Sequence, residues 1–237
     1  MKKPYQDFVV LVTGGSTGLG RAIAVEVAIQ GAATVIINYA RSADEAEETA
    51  RQVRAEGAQA VLVQGDVALD ADCRRIAAAA QPFGRIDALF NNAGTTRFAA
   101  HADMEAVSAQ DFQDIYAVNV VGAFQMVRAC RALLEAAPQP GAVINTASIA
   151  GIMGIGSSVP YAASKGAMNI MTLSLARALA PKIRVNAAAG TPLQVASTAD
   201  DIAASAVFLG SPASRHVTGE TLVVDGGTHL GSARRGR

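Results

Sequence analysis

A single doubly wound α/β domain is the fold this chain predicts, and three observations carry that expectation. Seven short runs rich in β-branched residues alternate with longer Ala-rich segments of helical period. Most of those runs are too apolar to have a solvated face, which places them in a parallel sheet covered by helices on both sides. The length of 237 residues suits one such domain, and a composition 51% hydrophobic and 17% charged supplies enough apolar surface to outweigh chain entropy.

The first strand is expected over Phe8–Thr13, a β-branched run that enters a Gly-rich turn and then a helix over Leu19–Gln30. Leu19, Ile23 and Val27 share one face of that helix, and Gly31 stops it. Thr34–Tyr39 is the second strand, followed by a helix over Ala43–Glu56 that ends at Gly57. Ala60–Gln64 and the helix Leu69–Gln81 come next, then the strand Ala88–Asn91 and a long helix over Ser108–Ala137 closed by Pro138. Ala142–Thr146 leads to the helix Pro160–Leu179, closed by Pro181; Ile183–Ala187, the helix Asp200–Leu209 and Thr221–Val224 complete the series. Residues 1–230 are expected to form the domain and 231–237 a flexible tail.

Charge and composition exclude several roles. Twenty Lys+Arg cancel twenty Asp+Glu, so no global field would hold nucleic acid or an anionic membrane. No stretch of about 18 uninterrupted apolar residues is present to span a bilayer. Only two cysteines occur, Cys73 and Cys130, and no apolar signal segment follows Met1-Lys2-Lys3; a reducing cytoplasm is the expected compartment. His101, His216 and His229 lie outside every motif and the cysteines lack ligand spacing, so no catalytic metal is expected.

Chemistry concentrates in two places. Between the first strand and first helix stands Thr13-Gly14-Gly15-Ser16-Thr17-Gly18-Leu19-Gly20, a strand-turn-helix anion site. Its glycines let the backbone approach a pyrophosphate, and the helix N-terminus offers unpaired N–H groups. The second place is Tyr161 and Lys165, four apart on one face of a predicted helix. There an ammonium is expected to lower the phenol from its reference of about 10 and make it a proton donor or acceptor. Ser148, at a strand end upstream, can donate to a substrate oxygen as charge develops there, or can simply cap the strand end. Asn119 can equally be a buried amide satisfying backbone groups.

Taken together, Gly14-x-x-x-Gly18-x-Gly20, Asp66-Val67, Asn91-Asn92-Ala93-Gly94, Asn119-Val120-Val121-Gly122, Ser148, Tyr161-x-x-x-Lys165 and Val224-Asp225-Gly226-Gly227 follow one another in order. Over about 220 residues the chain resembles the classical short-chain dehydrogenases/reductases. The resemblance implies a Rossmann-type sheet and hydride transfer between a nicotinamide cofactor and a carbonyl or secondary alcohol. Tyr161 would be the acid/base and Ser148 the oxygen partner. Lys165 would hold the nicotinamide ribose, and Asn119 a water linking that lysine to solvent. It further implies cofactor contacts from Gly14, Ser16, Thr17, Gly18, Leu19 and Gly20, from Asp66 and Val67 at the adenine, and from Asn91, Ala93 and Gly94. As simple structure, Asn91 to Gly94 would be a turn and Asp66 a loop cap.

After the second strand, Asn38-Tyr39-Ala40-Arg41-Ser42 lacks the acid expected of an NAD site. Tyr39, Arg41 and Ser42 are therefore expected at the adenosine ribose, with Arg41 and Ser42 meeting a 2′-phosphate, and NADP(H) is favoured over NAD(H). The substrate candidates are 3-oxoacyl thioesters, sugars or polyols, and cyclic ketones, with Ala99, Met153, Ile155 and Val159 lining either an apolar cleft or the core. The two long helices are apolar around much of their circumference, and a homo-oligomer, tetramer or dimer, is expected through them.

One departure stands out. The resemblance implies a turn and a mobile substrate lid after the sixth strand, but Ala187-Ala188-Ala189-Gly190 passes through Thr191-Pro192-Leu193 directly toward the next helix. The gap falls near Ala188–Thr191. A natural chain without the lid and a natural segment not contained in this chain both explain it, and the mobility of such lids favours the second. An alternative function is a non-catalytic dinucleotide sensor or scaffold of the same fold. The extended branch of epimerases and dehydratases is disfavoured, because its Gly-x-x-Gly-x-x-Gly spacing and longer C-terminal domain are missing.

Overall fold

The computed structural model describes residues 3–190 and 198–230. Seven parallel strands form one sheet in the order β3-β2-β1-β4-β5-β6-β7. They are β1 Val9–Val12, β2 Thr34–Tyr39, β3 Gln59–Gln64, β4 Ala88–Asn91, β5 Gly141–Ser148, β6 Ile183–Gly190 and β7 Thr221–Val224. β1 pairs with β2 on one side and β4 on the other, so the winding direction reverses there and a crevice opens at the carboxyl ends of these two strands.

Alternation along the strands feeds two cores. Val10, Val12, Val35, Ile37, Phe90 and Ile144 point to one face, where they meet α1 (Gly18–Ile29), α2 (Ala43–Ala55) and α8 (Ala199–Gly210). Val9, Leu11, Ile36, Leu89 and Val143 point to the other, against α3 (Asp70–Ala78), α5 (Ala123–Glu135) and α7 (Val159–Leu179). Burial on both faces explains the near-continuous apolar runs of the central strands. The edge strands β3 and β7 are only partly buried.

Four elements differ most from expectation. β5 and β6 run on to Ser148 and Gly190, because each extra residue finds a partner in the ladder, ending with Ser148 opposite Gly190. The expected helix over 108–137 consists of α4 (Ala109–Tyr116), a π-helical stretch Ala117–Gly122 and α5. Gly122 sits so close to Val67 that a Cβ there would come within 2.9 Å of its carbonyl oxygen, so the chain widens where α5 meets the loop after β3. Unexpected from the sequence is α6 (Ala150–Met153), a single turn closed by Gly154 at φ +67°.

The continuous run Ala109–Glu135 has the length and hydropathy of a membrane span, 27 residues. Its buried face, Met126, Val127, Cys130 and Leu134, packs on the sheet instead.

Candidate active site

The Gly-rich turn leaves β1 and is held from three directions. Gly14 at φ +60° takes a conformation that side chains rarely adopt, and a Cβ there would lie 2.9 Å from Ala93 Cα. A Cβ on Gly20 would fall 2.1 Å from the Gly14 carbonyl oxygen, so only glycine lets α1 start against the turn. Thr17, the residue before α1, makes no side-chain cap, and Gly18 at φ +53° faces open space. The first N–H groups of α1 are thus left for a ligand. Leu19 is half-buried against the α1 core. The Ser16 carbonyl is tied down by Arg21 (2.8 Å) and Thr49 (3.0 Å).

Two asparagines to which the sequence reading assigns no contact hold this turn in place. Asn38, polar in the otherwise apolar β2, accepts from the Gly14 N–H at 3.3 Å and donates to the Gly65 carbonyl at 3.0 Å, joining the turn to the end of β3. Asn92 donates to the carbonyls of Thr13 (3.2 Å) and Gly14 (3.0 Å). Asn91, expected in the cofactor stretch, is instead buried between sheet and helix, donating to Asn145 Oδ1 (3.0 Å) and the Ala123 carbonyl (3.3 Å). The odd-even alternation of β4 decides this: Asn91 faces α5, and only from Asn92 onward does the chain turn over the Gly-rich loop. Ala93 donates its N–H to Thr13 Oγ1 at 3.1 Å.

Toward the adenosine end, Tyr39 is half-buried where β2 stops, while Arg41 is exposed. Among the described residues Arg41 makes no ion pair or hydrogen bond through its guanidinium. Ser42 precedes α2 with no side-chain cap, although Asp44 and Glu45 follow in the first turn. Asp66 accepts from the Ala68 N–H at 2.9 Å, the loop-cap arrangement, with its second carboxylate oxygen free of that bond. Val67 is buried against Gly122.

The other side of the crevice gathers Ser148, Tyr161, Lys165 and Asn119. Ser148 ends β5, and its Oγ accepts from the Ala150 N–H at 3.2 Å, which leaves the hydroxyl proton to be donated elsewhere. Tyr161 lies in the first turn of α7, whose N-cap is the fully buried Ser158. Burial pushes the Tyr161 phenol above its ordinary value, and a hydrogen bond from Ser148 pulls the other way. Lys165 is 3% exposed; its Nζ stands 5.7 Å from the Tyr161 ring centroid and donates to the Thr146 carbonyl at 2.6 Å. Burial pulls the ammonium down to about 8.

Lys165 therefore does not lower the phenol here as expected. It faces the ring rather than the hydroxyl, and desolvation acts on both groups, favouring the neutral form of each.

Asn119 sits in the π-helical stretch, fully buried. Its amide donates to the Thr95 carbonyl and to Ser164 Oγ, both at 3.0 Å, and its oxygen accepts from the Thr95 N–H at 2.8 Å. With both N–H groups used, the side chain positions the loop after Gly94 against α7. A Cβ on Gly94 would approach Asn119 Oδ1 at 3.4 Å and Lys165 Nζ at 3.9 Å, so these three residues meet at one point. Gly151 of α6 touches α7 backbone to backbone; a Cβ there would lie 2.4 Å from the Lys165 carbonyl carbon. No spacing rule flags that contact. The residues after Gly190, where the lid gap falls, lie outside the described residues up to 197.

Comparison with known proteins agrees with this fold. The short chain dehydrogenase family model matches residues 8–205, and an enoyl-(acyl carrier protein) reductase model matches 187–229. A ketoacyl reductase assigned to the granaticin polyketide synthase of Streptomyces violaceoruber is 36% identical, covering 94% of this chain and 96% of its own. The 3-oxoacyl-acyl-carrier-protein reductase FabG of Staphylococcus epidermidis is 32% identical over 93% of this chain and 98% of its own. A crystal structure assigned as a short-chain dehydrogenase/reductase from Burkholderia xenovorans superposes with a TM-score of 0.90 at 38% identity, covering 95% of this chain and 99% of that one. The granaticin alignment spans 247 positions; 94% of 237 residues is about 223, so about 24 positions have no residue of this chain opposite them.

Proposed function

This chain belongs to the classical short-chain dehydrogenase/reductase family of oxidoreductases, and from that premise we propose that it interconverts a carbonyl and a secondary alcohol with NADP(H), using Tyr161 as acid/base. The observation that carries the reading is the convergence of a Ser148 hydroxyl, the Tyr161 phenol and a Lys165 ammonium with spare donors at the carboxyl end of β5.

The Gly-rich turn fits a dinucleotide pyrophosphate, because its closest approaches exclude any Cβ at Gly14 and Gly20 while the N–H groups of α1 stay uncapped. When bound, the nicotinamide gives or takes the hydride. In the reducing direction the Ser148 hydroxyl donates a hydrogen bond to the substrate oxygen and holds it at Tyr161. Tyr161, kept protonated at neutral pH by burial, transfers its proton to that oxygen as negative charge develops. Among the described residues Lys165 gives one of its three N–H groups to the Thr146 carbonyl, which leaves two to bind the ribose hydroxyls. Asn119 fixes the loop that carries Gly94 and so the distance between that loop and Lys165. At the adenosine end Arg41 is the cation able to pair with a 2′-phosphate, against the opposing charge of Asp44 and Glu45.

The exposed apolar residues Val121 and Phe124 on the 109–135 run, with Ile170 and Leu173 on α7, support a homo-oligomer through these helices. Free, buried Cys73 and Cys130 suit a reducing compartment such as the cytoplasm.

The test is NADPH oxidation over a panel of ketones and aldehydes with Tyr161→Phe as control. Turnover in the wild type reduced about 10²- to 10⁴-fold in the variant is the expected outcome. Turnover indifferent to Tyr161, or cofactor binding without turnover, would overturn the reading and favour a sensor.

A further inference from the structure

Beside the start of α7 lies a cavity of about 610 Å³ that the chemistry above does not use. Its apolar wall is made by Ala99, Ala100, Met104, Val107, Phe112 and Val159. That volume falls within the range of small-molecule sites, which are mostly apolar with few polar groups. The cavity is tied to the reacting groups at two points. Ala99 donates its N–H to the Ser157 carbonyl at 2.8 Å, and the Thr96 and Ser157 hydroxyls bond to each other, so the loop that forms the cavity is fastened to the segment joining Ser148 and Tyr161. Val159 opens α7 two residues before Tyr161. At its other end the same loop is fixed by Thr95 to Asn119.

The polar lining is sparse: His101 Nε2, buried without a partner among the described residues, and the exposed Gln113 are joined by two groups that are spent or anionic. Ser108 is committed to the capping box with Asp111, and Asp103 places an exposed carboxylate beside the apolar wall. His101 Nε2 can match one polar group, but a polyol would leave its other hydroxyls on the apolar wall, and a carboxylate or phosphate would meet Asp103. Met104 and Val159, 80% and 43% exposed, are apolar surface that a ligand would cover.

Resting on the oxidoreductase reading, we propose that this cavity takes the non-reacting part of the substrate, and that the substrate is a neutral, apolar ketone or the corresponding alcohol rather than a sugar or polyol. The carbonyl would lie at Ser148 and Tyr161 while the hydrocarbon body displaces water from the wall of the 99–109 loop.

The experiment compares 4-tert-butylcyclohexanone, cyclohexanone and dihydroxyacetone with NADPH, in wild type and in Ala109→Phe and Val107→Phe, each of which fills the cavity. In the wild type, kcat/KM for the tert-butyl ketone should exceed that for cyclohexanone at least about tenfold through KM, with dihydroxyacetone poorest. Both variants should bring the tert-butyl advantage down to about onefold. An unchanged advantage in folded variants, or dihydroxyacetone as the best substrate, overturns the proposal. If none of the three carbonyls turns over, the oxidoreductase reading is what fails. Calorimetric titration of 4-tert-butylcyclohexanol then still decides the cavity: binding lost in both variants supports it, and equal or absent binding overturns it.

Discussion

Two buried cations stand at opposite ends of the sheet and are dressed differently. Arg184, at the amino end of β6, is 8% exposed and gives Nη1 to the carbonyls of Leu209, Ser214 and Val217 and to the Ser214 hydroxyl, with Nη2 on the Ser211 carbonyl. It ties the end of α8 to the turn leading into β7. Lys165, above the carboxyl end of β5, is 3% exposed and has one hydrogen-bond partner among the described residues, the Thr146 carbonyl. A buried charge costs stability unless its donors are matched, so saturation is what the fold alone would select. The unsaturated lysine marks the end of the sheet where something else is meant to bind.

Lys165→Met should break the comparison most sharply. Carbonyl reduction should fall about 10³-fold, while the fold gains stability at neutral pH by an amount on the order of 3 kcal/mol, since a buried ammonium brought from 10.5 to about 8 pays about 1.36 kcal/mol per unit. Below pH 8 the folded protein bears this cost in full. Between about 8 and 10.5 the folded state releases its proton before the unfolded chain does, so wild-type stability climbs relative to the variant as pH rises through that window. Chemical denaturation of both proteins from pH 7 to 10.5 measures the difference, and a flat difference would show that the ammonium is not desolvated.

Arg184→Met should do the reverse. Four carbonyls and a hydroxyl each lose one donor, and the fold should lose about 3 kcal/mol in urea unfolding, with turnover per folded molecule unchanged. Loss of turnover without loss of stability would reverse the roles assigned to the two ends. Arg41→Ala sharpens the contrast with an exposed cation: NADPH should bind about tenfold more weakly and NADH equally well, by fluorescence titration. Equal NADPH affinity would remove Arg41 from the phosphate site.

Much of this was legible in the chain. The βαβ alternation located every strand, and the Gly-rich turn and the Tyr161–Lys165 pair stand where their spacing puts them. Strand ends were less legible: β5 and β6 extend each other through mutual pairing, which neither run reveals alone. Asn91 and Asn92 exchanged roles because strand parity, not motif membership, decides which amide faces the Gly-rich turn. Asn38 carried a signal in being polar within an apolar strand, but its partners Gly14 and Gly65 are 24 and 27 residues away.

By itself the sequence determined the class of fold, the position of the Gly-rich turn and the identity of the candidate reactive side chains, because periodicity, glycine conformation and residue chemistry are local properties. Tertiary structure decided the titration of those side chains and the use of Asn119. It also decided the fastening of the 95–109 loop to Ser157 and the space that loop leaves beside Tyr161. These depend on burial and on contacts between distant segments, and desolvation is set by what the whole fold places around a group rather than by its neighbours in the chain.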